Sequence, residues 1–246
     1  MILYVNGDSH SAACEAVHPA GFLGDDSRYY TKGMIDPVWK DEVEWAPYPD
    51  NLKISYGQLL ADQLGAELHC HARSAGSNDR ILRTTQEYLK DFTPDFVLIG
   101  WSTWEREEWY NQDDNTWYQV NGSGTDSVPK KWSQRYKEFV IGLTEETWHK
   151  KAVDTHNKIW MLHCKLEEQG IPHLFFNCHL VFNSELKNGM LTAYDWKDNY
   201  LEPYSTFNYR DYLITQGCKP NQSYHFGADG HKKWAEFLLP HLTRLL

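Results

Sequence analysis

No apolar run in these 246 residues approaches the roughly 18 needed to cross a bilayer, so no membrane-spanning segment is predicted. Basic residues are outnumbered, with 24 Lys and Arg against 34 Asp and Glu and a net charge of -10. That balance argues against nucleic acid or an anionic membrane surface as a partner. Cysteines are few: Cys14, Cys70, Cys164, Cys178 and Cys218, an odd count without close spacing. The simplest expectation is reduced thiols in a cytoplasmic setting rather than a disulfide framework. The chain opens on "MILYVNG", with no basic stretch or cleavage site, so no signal peptide is predicted. Internal repeats and low-complexity tracts are also lacking.

Aromatics, by contrast, are plentiful. They make up 15% of the chain, with 11 Trp, and many lie in polar stretches such as "SRYYTKGMIDPVWKDEVEWAPYPD" and "WSTWEREEWYNQDDNTWYQV". Two readings stand: loops packing on their own domain, or a wall that stacks on sugar or other rings.

The rest alternates short apolar runs with amphipathic stretches. "ILYV" (2–5), "AELHCHA" (66–72), "FVLIGW" (96–101) and "HLFFNC" (173–178) read as strands. Residues 54–65, 77–91 and about 145–169 read as helices, and a last helix opens at "DGHKKWAEFLL" and runs to Pro240. The third strand is apolar throughout, as when both faces of a parallel sheet are covered. The order predicts an α/β fold, a parallel sheet with helices on both faces, in one domain spanning 1–246. Segments near 20–53, 103–142 and 180–222 read as insertions walling one sheet end. Ligands in such sheets bind beyond the carboxyl ends of the strands. Those ends are "NGDSH", "RSAGSND", "GWSTWERE" and "NCHLVFN".

Gly7-Asp8-Ser9 follows the first strand, Gly76 follows the second, and "HFGADGHKKWA" near the C-terminus sets His225, Gly230, His231 and Ala235 in a recurring pattern. In that order, on those elements, the three blocks resemble the SGNH (GDSL-type) hydrolases. The tone of "NGDSHS", "GSNDRI" and "IGWSTWERE" is similar to SGNH-like proteins of tailed phages, which would place the chain in a host cytoplasm or a virion. The resemblance implies a three-layer α/β/α sandwich with a flavodoxin-like sheet, no cofactor and no metal. It implies Ser9 as nucleophile, His225 as base, and Ser9 and Gly76 as oxyanion donors. A lone serine hydroxyl is a poor nucleophile and needs such a base. The other reading of Ser9 is a helix cap, since "SHSAACEAV" can open a helix.

Two departures stand out. Gly100-Trp101-Ser102-Thr103 replaces the family's Gly-x-Asn-Asp, leaving Ser102 or Asn78 to donate to the oxyanion. Gln222 stands where an Asp should orient His225, which leaves a Ser9–His225 dyad, with Gln222 or a backbone carbonyl as orienting group and Asp198 or Asp211 as distant candidates. His231 is a rival base, though a capping or surface role is expected of it. Asp8, His10, Trp101 and Arg106 are candidate substrate contacts, with a local hydrogen-bonding role expected for His10 and a solvated helix start as the other reading of Arg106. His69 and His71 face one way in their strand and Cys70 the other. Together with Cys178 and His179 they match no zinc spacing.

The expected function is hydrolysis of a small, acetyl-like ester on a polar carrier such as a carbohydrate, through an acyl-enzyme. An O-acyltransferase on the same scaffold, or a binding or virion protein with weakened catalysis, are the alternatives. Oligomeric state is not legible.

Overall fold

The computed structural model describes residues 1–17, 46–122, 128–182 and 194–246, together with 30–31, 34–35 and 42–43. Most of the aromatic stretch 27–50 and residues 183–193 of the third predicted insertion lie outside the described residues. The central sheet has four parallel strands: β1 (Ile2–Asn6), β2 (Glu67–Cys70), β3 (Phe96–Trp101) and, after a hairpin, β6 (His173–Asn177). Their spatial order is β6-β3-β1-β2. In register, Tyr4 sits between His69 and Val97. A parallel bridge from Phe175 to Tyr200 extends the β6 edge.

Period-two alternation sorts the strand residues between two cores. Leu3, Val5, Leu98, Leu174 and Phe176 pack with Leu60, Trp234 and Leu238. These come from α2 (Tyr56–Leu64) and α7 (Ala228–Leu245), while Tyr209 and Leu213 of α6 (Tyr209–Thr215) complete the layer. Tyr4, Val97, Ile99 and Phe175 face the other way, onto Ile81 of α3 (Asn78–Asp91) and Ile159 and Leu162 of α5 (Glu145–Glu168). The result is helices on both faces of a parallel sheet, the predicted α/β architecture.

Local signals place the helix ends. Ser55 and Ser77 cap α2 and α3 through their hydroxyls, Gly65 closes α2 in the left-handed region, and Thr144 forms a capping box with Thr147 on α5. The last helix corrects the sequence expectation. It continues through Pro240 to Leu245, because Leu238 and Leu242 are both fully buried on one side and burial offsets the hydrogen bond that proline removes. No helix among the described residues is long and apolar enough to cross a membrane.

The segment after β3 also differs from its reading as a helix start. Glu107–Asn111 (β4) and Thr116–Val120 (β5) form an antiparallel hairpin, followed by α4 (Ser133–Ile141). The reason is tertiary. Arg83 of α3 grips the buried Glu108 carboxylate with two hydrogen bonds, 2.9 and 2.7 Å. Trp109, Val120 and Tyr136 form their own small core, with Arg135 stacked 3.8 Å over the Trp109 ring. For this stretch, aromatic packing on the domain itself is what the structure shows, although Tyr110 stays 40% exposed.

Three buried imidazoles hold the fold together as neutral groups. Burial lowers His231 to about 3, with His225 adding, and lowers His156 and His173 to about 4. A histidine whose folded value lies below the unfolded 6.5 stabilises fully above pH 6.5 and loses that contribution as pH falls toward the folded value. Each contributes up to about 1.4 kcal/mol per pH unit in that window. Urea denaturation between about pH 6.5 and 4 should show stability falling steeply. His231→Asn, which retains an acceptor at the Nδ1 position, should flatten that slope; an unchanged slope would remove His231 from the account.

Candidate active site

β1 ends by turning sharply at Gly7, where φ is +156° and a side chain would meet Ser11 Oγ at 2.0 Å and Gly100 O at 2.8 Å. Only glycine fits. The turn runs on through residue 17 without becoming a helix, since Ala13 and Glu15 have φ of 51° and 64°. The helix-cap reading of Ser9 therefore has no helix to cap. Instead, Ala12 N–H donates to Asp8 O and Cys14 N–H to Ser9 O, and the buried Tyr56 hydroxyl donates to Ser11 Oγ at 2.7 Å. Ser9 is nearly buried, and neither its hydroxyl nor its backbone N–H donates to any described residue.

The left-handed residue Glu15 carries the main surprise. Its carboxylate, fully buried, accepts from His225 Nδ1 at 2.7 Å. Asn221 Nδ2 donates to the same oxygen at 2.6 Å. Asn221 also shapes the loop bearing the histidine: its Oδ1 accepts from the N–H groups of Ser223 and His225 at 2.9 and 3.0 Å, and its own N–H donates to His225 O at 2.8 Å. Glu15 is thus the carboxylate that the sequence reading sought elsewhere. Gln222, expected to orient His225, is exposed and bonds to nothing on the ring. Asp211 sits at the start of its own helix with Asn208, and Asp198 pairs with Arg244. His231 is neither a surface cap nor a candidate base: it is buried, stacks on Tyr56, and its Nδ1 accepts from Tyr56 N at 3.3 Å.

Asp8 organises the other side. One carboxylate oxygen accepts from His10 N–H at 3.0 Å. The other accepts from Ser102 Oγ at 3.0 Å and lies 3.4 Å from Arg106 Nη1 and 3.7 Å from His179 Nε2. Arg106 Nη1 also donates to Ser102 Oγ at 2.8 Å and reaches Gly76 O at 3.5 Å. Its Nε is buried without a partner among the described residues. Arg106 thus points inward, onto Asp8 and Ser102. His10 Nε2 and His179 Nε2 are 2.8 Å apart, and the His10 ring lies 5.3 Å from that of His225. Burial pushes His10 well below the ordinary imidazole range, with His179 and His225 adding; burial also lowers His179, opposed by Asp8.

The expected oxyanion donors are redistributed. Gly76 comes close to the turn, 3.3 Å from Gly7 O for a built Cβ, but its N–H is committed to Arg73 O at 3.0 Å. Asn78 clamps the end of β3: its Oδ1 accepts from Ser102 N at 2.8 Å and its Nδ2 donates to Ser102 O at 3.1 Å, so its amide does not face a ligand. The Ser102 hydroxyl proton goes to Asp8. Trp101 is not a substrate contact. It is fully buried and meets Phe175 edge-on at 5.4 Å, because its strand position faces the α3–α5 core. Glu15, Asn221 and His179 are the site residues that sequence reasoning did not assign.

Residues 48–185 match the family of unknown function DUF6071, and the chain belongs to that family. No curated protein sequence matches it. Among solved structures, the chain is similar to a carbohydrate esterase whose active site is described as displaying divergent catalytic and non-catalytic binding functions. That likeness is 14% identical, covers 99% of this chain and 64% of that one, and has a TM-score of 0.51. The chain therefore spans a little under two thirds of that structure. It is also similar to TesA (15% identity, all of both chains, TM-score 0.48) and to the acetyl xylan esterase Est2A from the rumen bacterium Butyrivibrio proteoclasticus (13%, 99% and 63%, 0.46). The first likeness shows the fold, an α/β structure with a helix-flanked parallel sheet as in SGNH hydrolases.

The tight turn before Ser9 can be tested directly. Gly7→Ala should lower stability by about 2–4 kcal/mol in urea denaturation, from left-handed strain plus overlap with Ser11. A loss below about 0.5 kcal/mol, typical of surface positions, would mean the turn is not as tight as described.

Proposed function

We propose that this chain is a serine esterase in which Ser9, His225 and Glu15 act together on a small acyl ester of a polar carrier. The observation that carries the reading is the 2.7 Å contact from His225 Nδ1 to the fully buried Glu15 carboxylate. An imidazole held through Nδ1–H by a carboxylate presents Nε2 as a base and is stabilised when it becomes a cation. The Ser9 hydroxyl, committed to no acceptor among the described residues, supplies the nucleophile. Nucleophile–base contacts in unliganded sites often tighten only when substrate binds.

Ser9 Oγ attacks the ester carbonyl and passes its proton to His225 Nε2. The tetrahedral oxyanion is held by the Ser9 N–H and by the Arg106 guanidinium, whose Nε, like that N–H, has no partner among the described residues. A charged donor in that place compensates for the Asn that Ser102 replaces. Collapse breaks the bond to the alcohol, which leaves with the proton from His225. Water then attacks the acyl-enzyme, gives its proton to His225, and the acid departs as Ser9 regains it. A hydroxyl acceptor in place of water would make the same chemistry an acyl transfer, and product analysis with added alcohol separates the two.

Support for a carbohydrate carrier comes from the likeness to a carbohydrate esterase and from exposed Tyr110, 5.0 Å from Trp117 on the hairpin. Gln119 of that hairpin accepts from Ser77 N–H, beside Gly76, at 2.9 Å and so ties it to the site wall. One observation favours a binding-only protein: the Gly76 N–H is turned to Arg73 rather than to a ligand. Turnover decides between them.

With 4-nitrophenyl acetate, Ser9→Ala and His225→Ala should abolish hydrolysis. Glu15→Gln should lower kcat by about 10⁴, as when a triad Asp becomes Asn. Arg106→Ala should cost about 10²–10³, the usual loss for one oxyanion donor. A wild type no faster than Ser9→Ala on this ester and on acetylated sugars would leave the binding-only reading.

A further inference from the structure

We infer that Asp8, His10 and His179 form a binding site for a divalent transition-metal ion of the zinc class, independent of the esterase reading. The three donor atoms converge from two strand ends, Asp8 and His10 after β1 and His179 after β6. His10 Nε2 and His179 Nε2 lie 2.8 Å apart, and His179 Nε2 is 3.7 Å from Asp8 Oδ2. Ligand atoms about 2.0–2.1 Å from a tetrahedral zinc sit roughly 3.3–3.4 Å from one another, and the two observed spacings bracket that value. Asp8 and His10 are buried and His179 is partly so, which separates this group from a chance meeting of surface side chains. Two imidazoles and a carboxylate make a donor set suited to Zn2+, Co2+ or Ni2+, with a further position left for water or a ligand.

A second cluster, His163, Glu167 and His173, is the natural comparison. There the hydrogen bonds account for the histidines. His173 Nδ1 donates to Ile171 O at 2.9 Å, its Nε2 meets His163 Nδ1 at 2.8 Å and Asn199 at 3.2 Å, and Glu167 is held by Lys197 and Asn199. That network needs no ion. The His10 pair differs. Its Nε2 atoms share a single N–H···N contact, and His10 Nδ1, buried without a partner among the described residues, leaves the tautomer of that ring unfixed. A metal ion would take both Nε2 lone pairs, with each ring carrying its proton on Nδ1.

Arg106 gives the site its distinguishing property. Its Nη1 is 3.4 Å from Asp8 Oδ2, the same oxygen that faces His179. A dication and the guanidinium therefore compete for one carboxylate oxygen, and removing the guanidinium should strengthen metal binding. A purely structural role for the cluster would not produce that sign.

The test is calorimetric titration of the chelator-stripped full chain with Zn2+, with Co2+ absorption as a second readout. Cys164, the exposed thiol, is replaced by Ser throughout. The expected result is one equivalent bound, lost in His179→Ala and in His10→Ala, retained in His163→Ala, and tightened about tenfold or more in Arg106→Gln. Thermal melts confirm that each variant is folded, and the Arg106→Gln result stands even if His10→Ala is not. Absence of binding to the folded parent overturns the inference. So does binding that survives folded His179→Ala, or that disappears with His163→Ala.

Discussion

A carboxylate buried away from water must be surrounded by donors, and Glu15 meets that requirement through His225 and Asn221 on a single oxygen. Much of the site follows from this contact. It ties the turn after β1 to the loop before α7, two segments some two hundred residues apart in sequence. The turn must bring Glu15 back toward the C-terminal loop, and it does so by placing Ala13 and Glu15 in the left-handed region. Along that path Gly7 and Gly100 both pack closely against Ser11.

The two flanks of Ser9 divide the polar work. On one side Glu15 and Asn221 orient His225. On the other, Asp8 collects Ser102, Arg106 and His179, and so holds a guanidinium against the residue that precedes Ser9. In this second flank Ser102 is not a free donor. Its hydroxyl links Arg106 to Asp8, and the arginine becomes the group with donors to offer.

The sheet and its helices were legible because their signals are local and periodic: apolar runs for buried parallel strands, Ser and Gly at helix ends. Ser9 and His225 were singled out because their surroundings resemble a known pattern of blocks, and their roles stand as a proposal. Glu15 was not. "SAACEAV" has the composition of a helix, and only tertiary contacts make Ala13 and Glu15 left-handed, so the carboxylate was sought three residues before His225 instead. The hairpin that begins just after Arg106 was not legible, since the buried Glu108–Arg83 contact that favours the strand is long-range. Trp101 and His231 were misread for a related reason. Position on a strand end or helix start does not tell which face a large ring takes, and the two hydrophobic cores took both.

The proposed role of Glu15 is to make Ser9 reactive through His225. It is most directly tested by labelling the protein with a serine-directed fluorophosphonate and following adduct formation by mass spectrometry of the Ser9 peptide, which requires no knowledge of the natural ester. A single phosphonyl adduct on Ser9 is expected, formed far more slowly in Glu15→Gln and not at all in His225→Ala. No adduct on Ser9, or labelling at an unchanged rate in Glu15→Gln, would contradict it.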